Sequence, residues 1–425
     1  MTTSSPYSPL PDGWHMARLG ELCSSPEYGA AATAIEHDSS LPRYVRITDI
    51  TDAGRLREDE KRSADPEDVD GFELEEGDLL FARSGSVGRT YLYHPDDGPC
   101  VFAGYLIRFR ALPKVASPKF LSHWTHSRAY FRWVASTARR GAQTNLNATE
   151  YSSLPIPLPP LEEQRGIAAV LDSIDEAIER EEAVVAATER LRDAMLQQLL
   201  TRGIPGRHTE YRDVPGLGTI PACWEVTRLG EVAEVSFSPV DKKTIEGEKP
   251  VYLCNYTDVF YNRHIDEHIN FMPATASESE YERWGLKKGD VLFTKDSETP
   301  DEIGIPAYVV ADMPEVLCGY HLALARPYTH KAVGAFLAEF LRSATARNEF
   351  ARIANGITRF GLTLDATREF PVPLPSTPEQ AAIAEMLDGV EEAINAGRMQ
   401  TDNLKSLKVS AADALLTGRV RVRGK

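Results

Sequence analysis

The 425-residue sequence is poor in cysteine, and its cysteines form none of the arrangements that define a fold. The five (Cys23, Cys100, Cys223, Cys254, Cys318) are odd in number, far apart and without a C-x-x-C pair. That excludes a disulfide framework and a zinc knuckle, and it fits a reducing cytosol. No stretch approaches the ~18 uninterrupted apolar residues of a membrane span, so no membrane partner is expected. The N-terminus, MTTSSPYSPLPDGW, lacks the basic region and apolar core of a secretory signal, and a cytoplasmic location is expected. Positive charge is scarce as well. The 47 Lys+Arg against 63 Asp+Glu leave a net −16, which taken whole argues against a basic nucleic-acid binder. Catalytic signatures are missing too: there is no Walker-type phosphate loop, no G-x-G-x-x-G, no amino-methyltransferase D/N/S-P-P-aromatic tetrapeptide and no G-x-S-x-G elbow. His264-Ile265-Asp266-Glu267-His268 fits H-x-x-E-H, but it reads as loop and strand. Zinc ligation at that spacing needs a helix, so no metal site is expected.

What the sequence does hold is itself, twice. LPDGWHMARLGEL (10–22) matches IPACWEVTRLGEV (220–232), and LEEGDLLFARS (74–84) matches LKKGDVLFTKD (286–296). Gly104-Tyr105 falls against Gly319-Tyr320. LPIPLPPLEEQRGIAAVLDSIDEAIE (154–179) matches FPVPLPSTPEQAAIAEMLDGVEEAIN (370–395), at an offset that drifts only from 210 to 216. Such order at a fixed period marks a tandem duplication. Each copy is a larger globular part followed by a shorter one, giving segments 1–155, 156–205, 206–371 and 372–425.

The shorter parts read as long helices. Four prolines (Pro155, Pro157, Pro159, Pro160) end whatever precedes, and Glu162 and Glu163 suit the positive end of a new helix. Ile167, Leu171, Ile174 and Ile178 then follow the four-three spacing of a coiled-coil seam, continuing past a stutter through Leu191, Met195 and Leu199. The second copy has Ile383, Leu387, Val390 and Ile394, then Leu404, Leu407, Ala411 and Leu415. About 40 residues make a helix of roughly 60 Å. A stripe that long needs a partner, and the chain offers the other copy. The expected fold is α+β: two similar mixed α/β domains joined by two long helices packed as an antiparallel coiled coil. In the globular parts VRITDI, DLLFARS, VFAGYLIRFR, VYLCNYTDV and DVLFTKD read as strands. Residues 119–136 and 333–354 read as amphipathic helices. Asp78 and Asp290, in the G-D-L/V-L-F repeats, read as turn-forming aspartates.

The charge divides along the repeat. Between Asp97 and Glu150 lie Arg108, Arg110, Lys114, Lys119, Arg128, Arg132, Arg139 and Arg140 with no acid among them. Residues 316–364 hold Arg326, Lys331, Arg342, Arg347, Arg352 and Arg359 against Glu339 and Glu349 alone. Clustering rather than the sum makes an electrostatic footprint, so two phosphate-facing surfaces are expected. Each window ends in a polar loop, RRGAQTNLN (139–147) and NGITRFGLT (355–363). Arg, Gln, Asn and Thr are the side chains that read base edges. The candidate DNA-contacting residues there are Arg139, Arg140, Gln143, Thr144 and Asn145, and Arg352, Thr358 and Arg359. A further loop, ARSGSVGRT (82–90), sets Arg83, Ser84, Ser86 and Arg89 around glycines that let backbone approach a phosphate. Its counterpart, residues 294–304, keeps Lys295.

These motifs in this order, a G-W-x-x-x-x-L-G opening (Cys-Trp in place of Gly-Trp in the second copy), a G-D-L/V-L-F strand, a polar loop, P-L-P-P-L-E-E-Q and a long helix, with the whole unit duplicated, resemble the specificity subunit of Type I restriction–modification enzymes. The second copy departs at Ser376-Thr377-Pro378-Glu379-Gln380, where the first has Pro160-Leu161-Glu162-Glu163-Gln164. The resemblance implies a non-catalytic DNA-recognition subunit whose globular parts each read one half of a split double-stranded DNA target. It implies that the helices set the gap between half-sites and dock two modification (methyltransferase) subunits, with restriction (translocase/nuclease) subunits beyond them. It places no cofactor on this chain; S-adenosylmethionine, ATP and magnesium belong to the partner subunits. The rival reading is a protein-interaction scaffold, two modules on a helical hairpin, that never touches DNA.

Overall fold

The computed structural model describes residues 10–138 and 145–422. Its contacts fall into two compact units, one of Met1–Glu182 with Arg398–Lys425, the other of Ala183–Gly397. Each unit thus takes its globular part from one copy and its helical part from both.

In the first unit the opening strand His15–Arg18 pairs antiparallel with Pro155–Leu158, which brings the two ends of the globular part together. The proline run is therefore itself a strand, and the expectation that it only breaks structure is corrected. Pro155 and Pro157 alternate, so their missing N–H groups face one edge and leave the other free to bond. The second unit repeats the device with Glu225–Arg228 and Pro371–Leu374. Among the described residues two further sheets complete the first globular part, whereas the second adds a five-, a four- and a three-stranded sheet and the hairpin of Tyr211–Val214 with Gly218–Pro221. In the first they run in the order Glu27–Tyr28, Leu106–Arg110, Asp78–Ala82, Thr90–Leu92 and Ala34–Glu36, Arg62–Ala64, Arg43–Val45, Cys100–Phe102. In the second, Val291–Thr294 lies centrally between Leu322–Pro327 and Pro306–Val309. The strand read at 45–50 stops at Val45, and a 3-10 turn takes Ile47–Asp49.

The two helices read in the globular parts are each broken in two. Pro118–Trp124 is followed by Arg128–Ala138, and Gly334–Arg342 by Ala344–Ile353. A serine makes both breaks: Ser127 Oγ accepts from the Tyr130 N–H, and Ser343 Oγ from the Ala346 N–H. A side-chain acceptor there starts a new helix more readily than it continues an old one.

The long helices run over Leu161–Arg202 and Thr377–Leu416. Within the first unit, Ile167, Ala168 and Leu171 share a core with Leu415 and Leu416. Lys408 reaches Asp175 at 2.5 Å and Lys405 reaches Glu182 at 2.8 Å. Within the second, Leu199 and Leu200 share a core with Ile383, Ala384 and Leu387, and Arg192 reaches Glu391 at 3.4 Å. As one helix number rises the other falls, so the pairing is antiparallel in each unit. Ile178 and Ile394 are buried, Ile174 and Val390 half-buried. The later seam is corrected at Leu191 and Leu407, which lie in solvent at 53% and 52% exposure. They occupy equivalent places in the two copies.

The E-Q pair at each helix start ties helix to domain. Gln164 accepts from the Ser117 N–H and donates to the Val115 and Pro159 carbonyls. Gln380 makes the same three bonds with Val333, Lys331 and Pro375. Glu163 takes Arg421 at 2.6 and 2.8 Å and the Trp14 indole N–H at 3.1 Å. Glu379 takes His208 at 2.6 Å. In each unit the tail that follows one long helix is thus bound at the start of the other. Among the described residues no helix is long and apolar enough to cross a membrane.

One titration follows from this junction. His126 is half-buried, its Nδ1 2.8 Å from the Ser122 carbonyl, with His123, Lys408 and Asp175 around it. Burial and the neighbouring cations lower its pKa, although the Ser122 carbonyl and Asp175 act the other way. The unfolded histidine takes up its proton from about pH 6.5, the folded one only below that. Between those limits unfolding binds a proton, so stability falls as pH falls. His126→Gln is expected to flatten the decline in urea midpoint below pH 6.5; an unchanged slope would count against a neutral folded His126.

Candidate nucleic-acid interface

The G-D-L/V-L-F strand leads into the candidate site, and its aspartate does more than turn the chain. Asp78, fully buried, accepts from the Glu75 N–H and pairs bidentately with Arg110 at 2.7 and 3.0 Å. Asp290 accepts from the Lys287 N–H and takes Arg326 twice at 2.8 Å. The carboxylates hold both guanidiniums charged, above the usual arginine range. The turn-only reading of these aspartates is corrected. So is part of each basic window: Arg108 is buried with Glu27 and Asp78, and Arg110 and Arg326 are held as above. Arg342 is packed inside, where burial pushes its pKa down to about 10. Arg128, Arg132 and Arg359 remain exposed.

Three segments converge at the end of that strand, in the same way in each unit. The backbone N–H of Arg83 donates to the Tyr105 carbonyl, and its own carbonyl accepts from Leu146. At Lys295 the N–H donates to the His321 carbonyl and the carbonyl accepts from Leu362. The loop after the strand, the turn between two strands and the polar loop before a short helix are thereby clasped together. The clasp aligns Tyr105 with His321, one residue away from the Gly-Tyr match read in the sequence. Each turn still exposes a tyrosine, Tyr105 or Tyr320. Sequence reasoning passed over both, although their recurrence was the available signal.

The candidate residues take different places around this clasp. The Arg83 guanidinium stands 5.0 Å from the Tyr28 ring centre. Its Nε is buried, as is the side-chain oxygen of Asn145, and neither has a hydrogen-bond partner among the described residues. Ser84 and Ser86 are half-buried in the following loop. Among the described residues nothing stands within 4 Å of a Cβ added at Gly85, whereas Gly88 packs against Val134 and donates to the Tyr151 hydroxyl. Only the first glycine therefore leaves room for a close approach. Arg89 is turned inward onto Asp52, at 2.6 and 2.8 Å, and the Ile50 carbonyl. Arg139, Arg140, Gln143 and Thr144 lie outside the described residues.

In the second unit Lys295 is largely covered, its ammonium 4.3 Å from the Tyr320 ring centre. Arg352 pairs with Glu349 at 2.5 and 2.7 Å. Thr358 and Arg359 stand exposed in a hairpin whose strands Asn355–Gly356 and Phe360–Gly361 pair with each other, the second also pairing with Asp296–Ser297. His264 sits in a two-residue strand, not a helix. Among the described residues no group of three or more His, Cys, Asp or Glu is arranged to hold a metal ion.

A duplicated α+β domain, each copy closing on an antiparallel helix pair and presenting a clasped cluster of loops, defines a protein of two like units. The comparisons give that class its family. The profile of the Type I restriction modification DNA specificity domain matches residues 11–187 and again 221–401, and the chain belongs to that family. It is similar to the putative type I restriction enzyme MjaX specificity subunit of Methanocaldococcus jannaschii, 26% identical over 97% of this chain and 95% of that protein. It is also similar to the EcoKI specificity subunit of Escherichia coli K12, 22% identical over 85% and 77%. In fold it resembles the HsdS subunit from Thermoanaerobacter tengcongensis (TM-score 0.51, 21% identity, 98% of this chain and 99% of that one). The S subunit from M. genitalium is likewise similar (TM-score 0.56, 14%, 97% and 98%).

Proposed function

We propose that this chain is the DNA sequence-recognition subunit of a Type I restriction–modification system, each unit reading one half of a bipartite target. The observation that carries the division of labour is the clasp. Position 83 or 295 organises the same three loops in both units, while the loops themselves differ in sequence. One framework with two contents suits two half-sites of different sequence. Arg83 and Asn145 belong to the residue types whose donors and acceptors contact base edges or phosphates. The long helices set the spacing of the half-sites. Leu191 and Leu407, equivalent and exposed, offer one apolar contact twice, which suits two copies of a modification subunit. Those subunits carry the S-adenosylmethionine-dependent methylation, and restriction subunits the ATP- and magnesium-dependent translocation and cleavage; this chain contributes recognition and scaffolding.

The test is to map methylated bases genome-wide in cells with and without this gene, then measure binding of the assembled complex to the mapped site. A split methylation motif that vanishes with the gene is expected; its persistence would refute the reading. Arg359→Ala should weaken binding, at one base pair where its guanidinium reads a base, or uniformly and with a salt slope smaller by about 0.9 where it neutralises a phosphate. An unchanged slope would remove Arg359 from the phosphate contacts.

A further inference from the structure

The hairpin at residues 355–361 carries an isoleucine that the fold does not use. Ile353 and Phe360, on either side, pack against the second unit's core, whereas Ile357 is 93% exposed. A single exposed apolar side chain is ordinary on a protein surface. This one is set apart by how firmly its position is built. Gly356 pairs with Phe360 across the hairpin and adopts φ +150°, where an added Cβ would stand 1.8 Å from the Arg359 carbonyl oxygen. Only glycine closes this three-residue tip, and a third strand, Asp296–Ser297, braces it. Leu362, just beyond, donates to the Lys295 carbonyl, so the tip is fastened to the clasp. The fold thus holds Ile357 in water, with exposed Thr358 and Arg359 beside it.

We propose that Ile357 packs on the 5-methyl group of a thymine in the half-site read by the second unit. The inference rests on the DNA-reading function proposed above. The three tip residues present an apolar group, a hydroxyl and a guanidinium. The major groove offers matching features: the thymine methyl is apolar, and guanine N7 and O6 accept from arginine. The minor groove, by contrast, displays only acceptors and the guanine amino group. A two-stranded β element also fits the major groove in width. Ile357 is therefore a specificity-determining contact, one that reads thymine by shape rather than by hydrogen bonding.

The test uses the complex assembled with its modification subunits and duplexes carrying the mapped target. Each thymine of the second unit's half-site, on either strand, is replaced in turn by deoxyuridine, which removes only the methyl group. One replacement should weaken wild-type binding about fourfold, the factor equivalent to ~0.8 kcal/mol per buried carbon group. Ile357→Ala should bind the thymine duplex weaker by at least that factor and be indifferent to the same replacement. Ile357→Val, which keeps a branched apolar side chain, should retain the sensitivity. The proposal is overturned if Ile357→Ala binds normally, if it keeps full sensitivity to every replacement, or if the half-site has no A·T pair. It is equally overturned if the variant loses subunit association with DNA discrimination intact, which would mark a protein contact. Failure of the wild-type complex to discriminate its target would defeat the function proposed above, and this contact with it. Discrimination without methyl dependence at Ile357 would defeat the contact alone.

Discussion

Asp290→Ala is expected to lower the stability of the second unit by ~3 kcal/mol, and Asp78→Ala that of the first by a similar amount. Removing one partner of a buried ion pair commonly costs about 3–5 kcal/mol, because the other charge is left uncompensated. Here the aspartates are buried but Arg110 and Arg326 are partly exposed, which puts the effect at the low end. Each substitution also frees a backbone donor, Glu75 or Lys287, and leaves Arg326 with the Gly285 carbonyl. Calorimetry should show the drop as roughly 6–12 °C in Tm, at about 2–4 °C per kcal/mol for a unit of this size. Asn at either position separates the two roles of the side chain. Its oxygen can keep the turn bond, but it has no charge for the arginine. Asp78→Asn and Asp290→Asn should therefore lose most of the stability that the alanines lose. Wild-type melting of the asparagine variants would show that the turn bond alone matters.

These pairs also show where the sequence could be read and where it could not. The duplication was legible because it needs only comparison of the chain with itself. The long helices were legible because Ile167, Leu171, Ile383 and Leu387 keep a spacing that has few other uses. The basic windows were legible only as composition. Arg110 and Asp78 are 32 residues apart, Arg326 and Asp290 are 36, and Arg89 meets Asp52 across 37. A charge count along the chain cannot see partners brought together by sheet pairing. The same limit hid the clasp, which is made of backbone hydrogen bonds and leaves no mark on residue type. Gln164 and Gln380 lay between these extremes. Their recurrence was plain, but their function, three bonds from a buried side chain joining helix to domain, depends on carbonyls of Val115 and Lys331 that any residue could supply.

Leu191→Glu together with Leu407→Glu is expected to abolish capture of modification subunits while leaving the chain folded and able to discriminate its target. Both leucines are more than half exposed, so a charge there disturbs neither core. At an interface the same change is severe: it removes an apolar anchor and strands a carboxylate in a desolvated contact, commonly at a cost of 2 kcal/mol or more. That is roughly a thirtyfold loss of affinity at each contact. The two positions belong to different units and to equivalent points of the repeat. Their effects should therefore be independent, each removing one partner. Native mass spectrometry of the co-expressed complex should find one modification subunit retained with either single variant and none with both. Loss of both subunits from a single variant would mean that the copies bind cooperatively rather than at two separate contacts. Full occupancy in the double variant would place docking on another face of the long helices and leave these leucines unassigned.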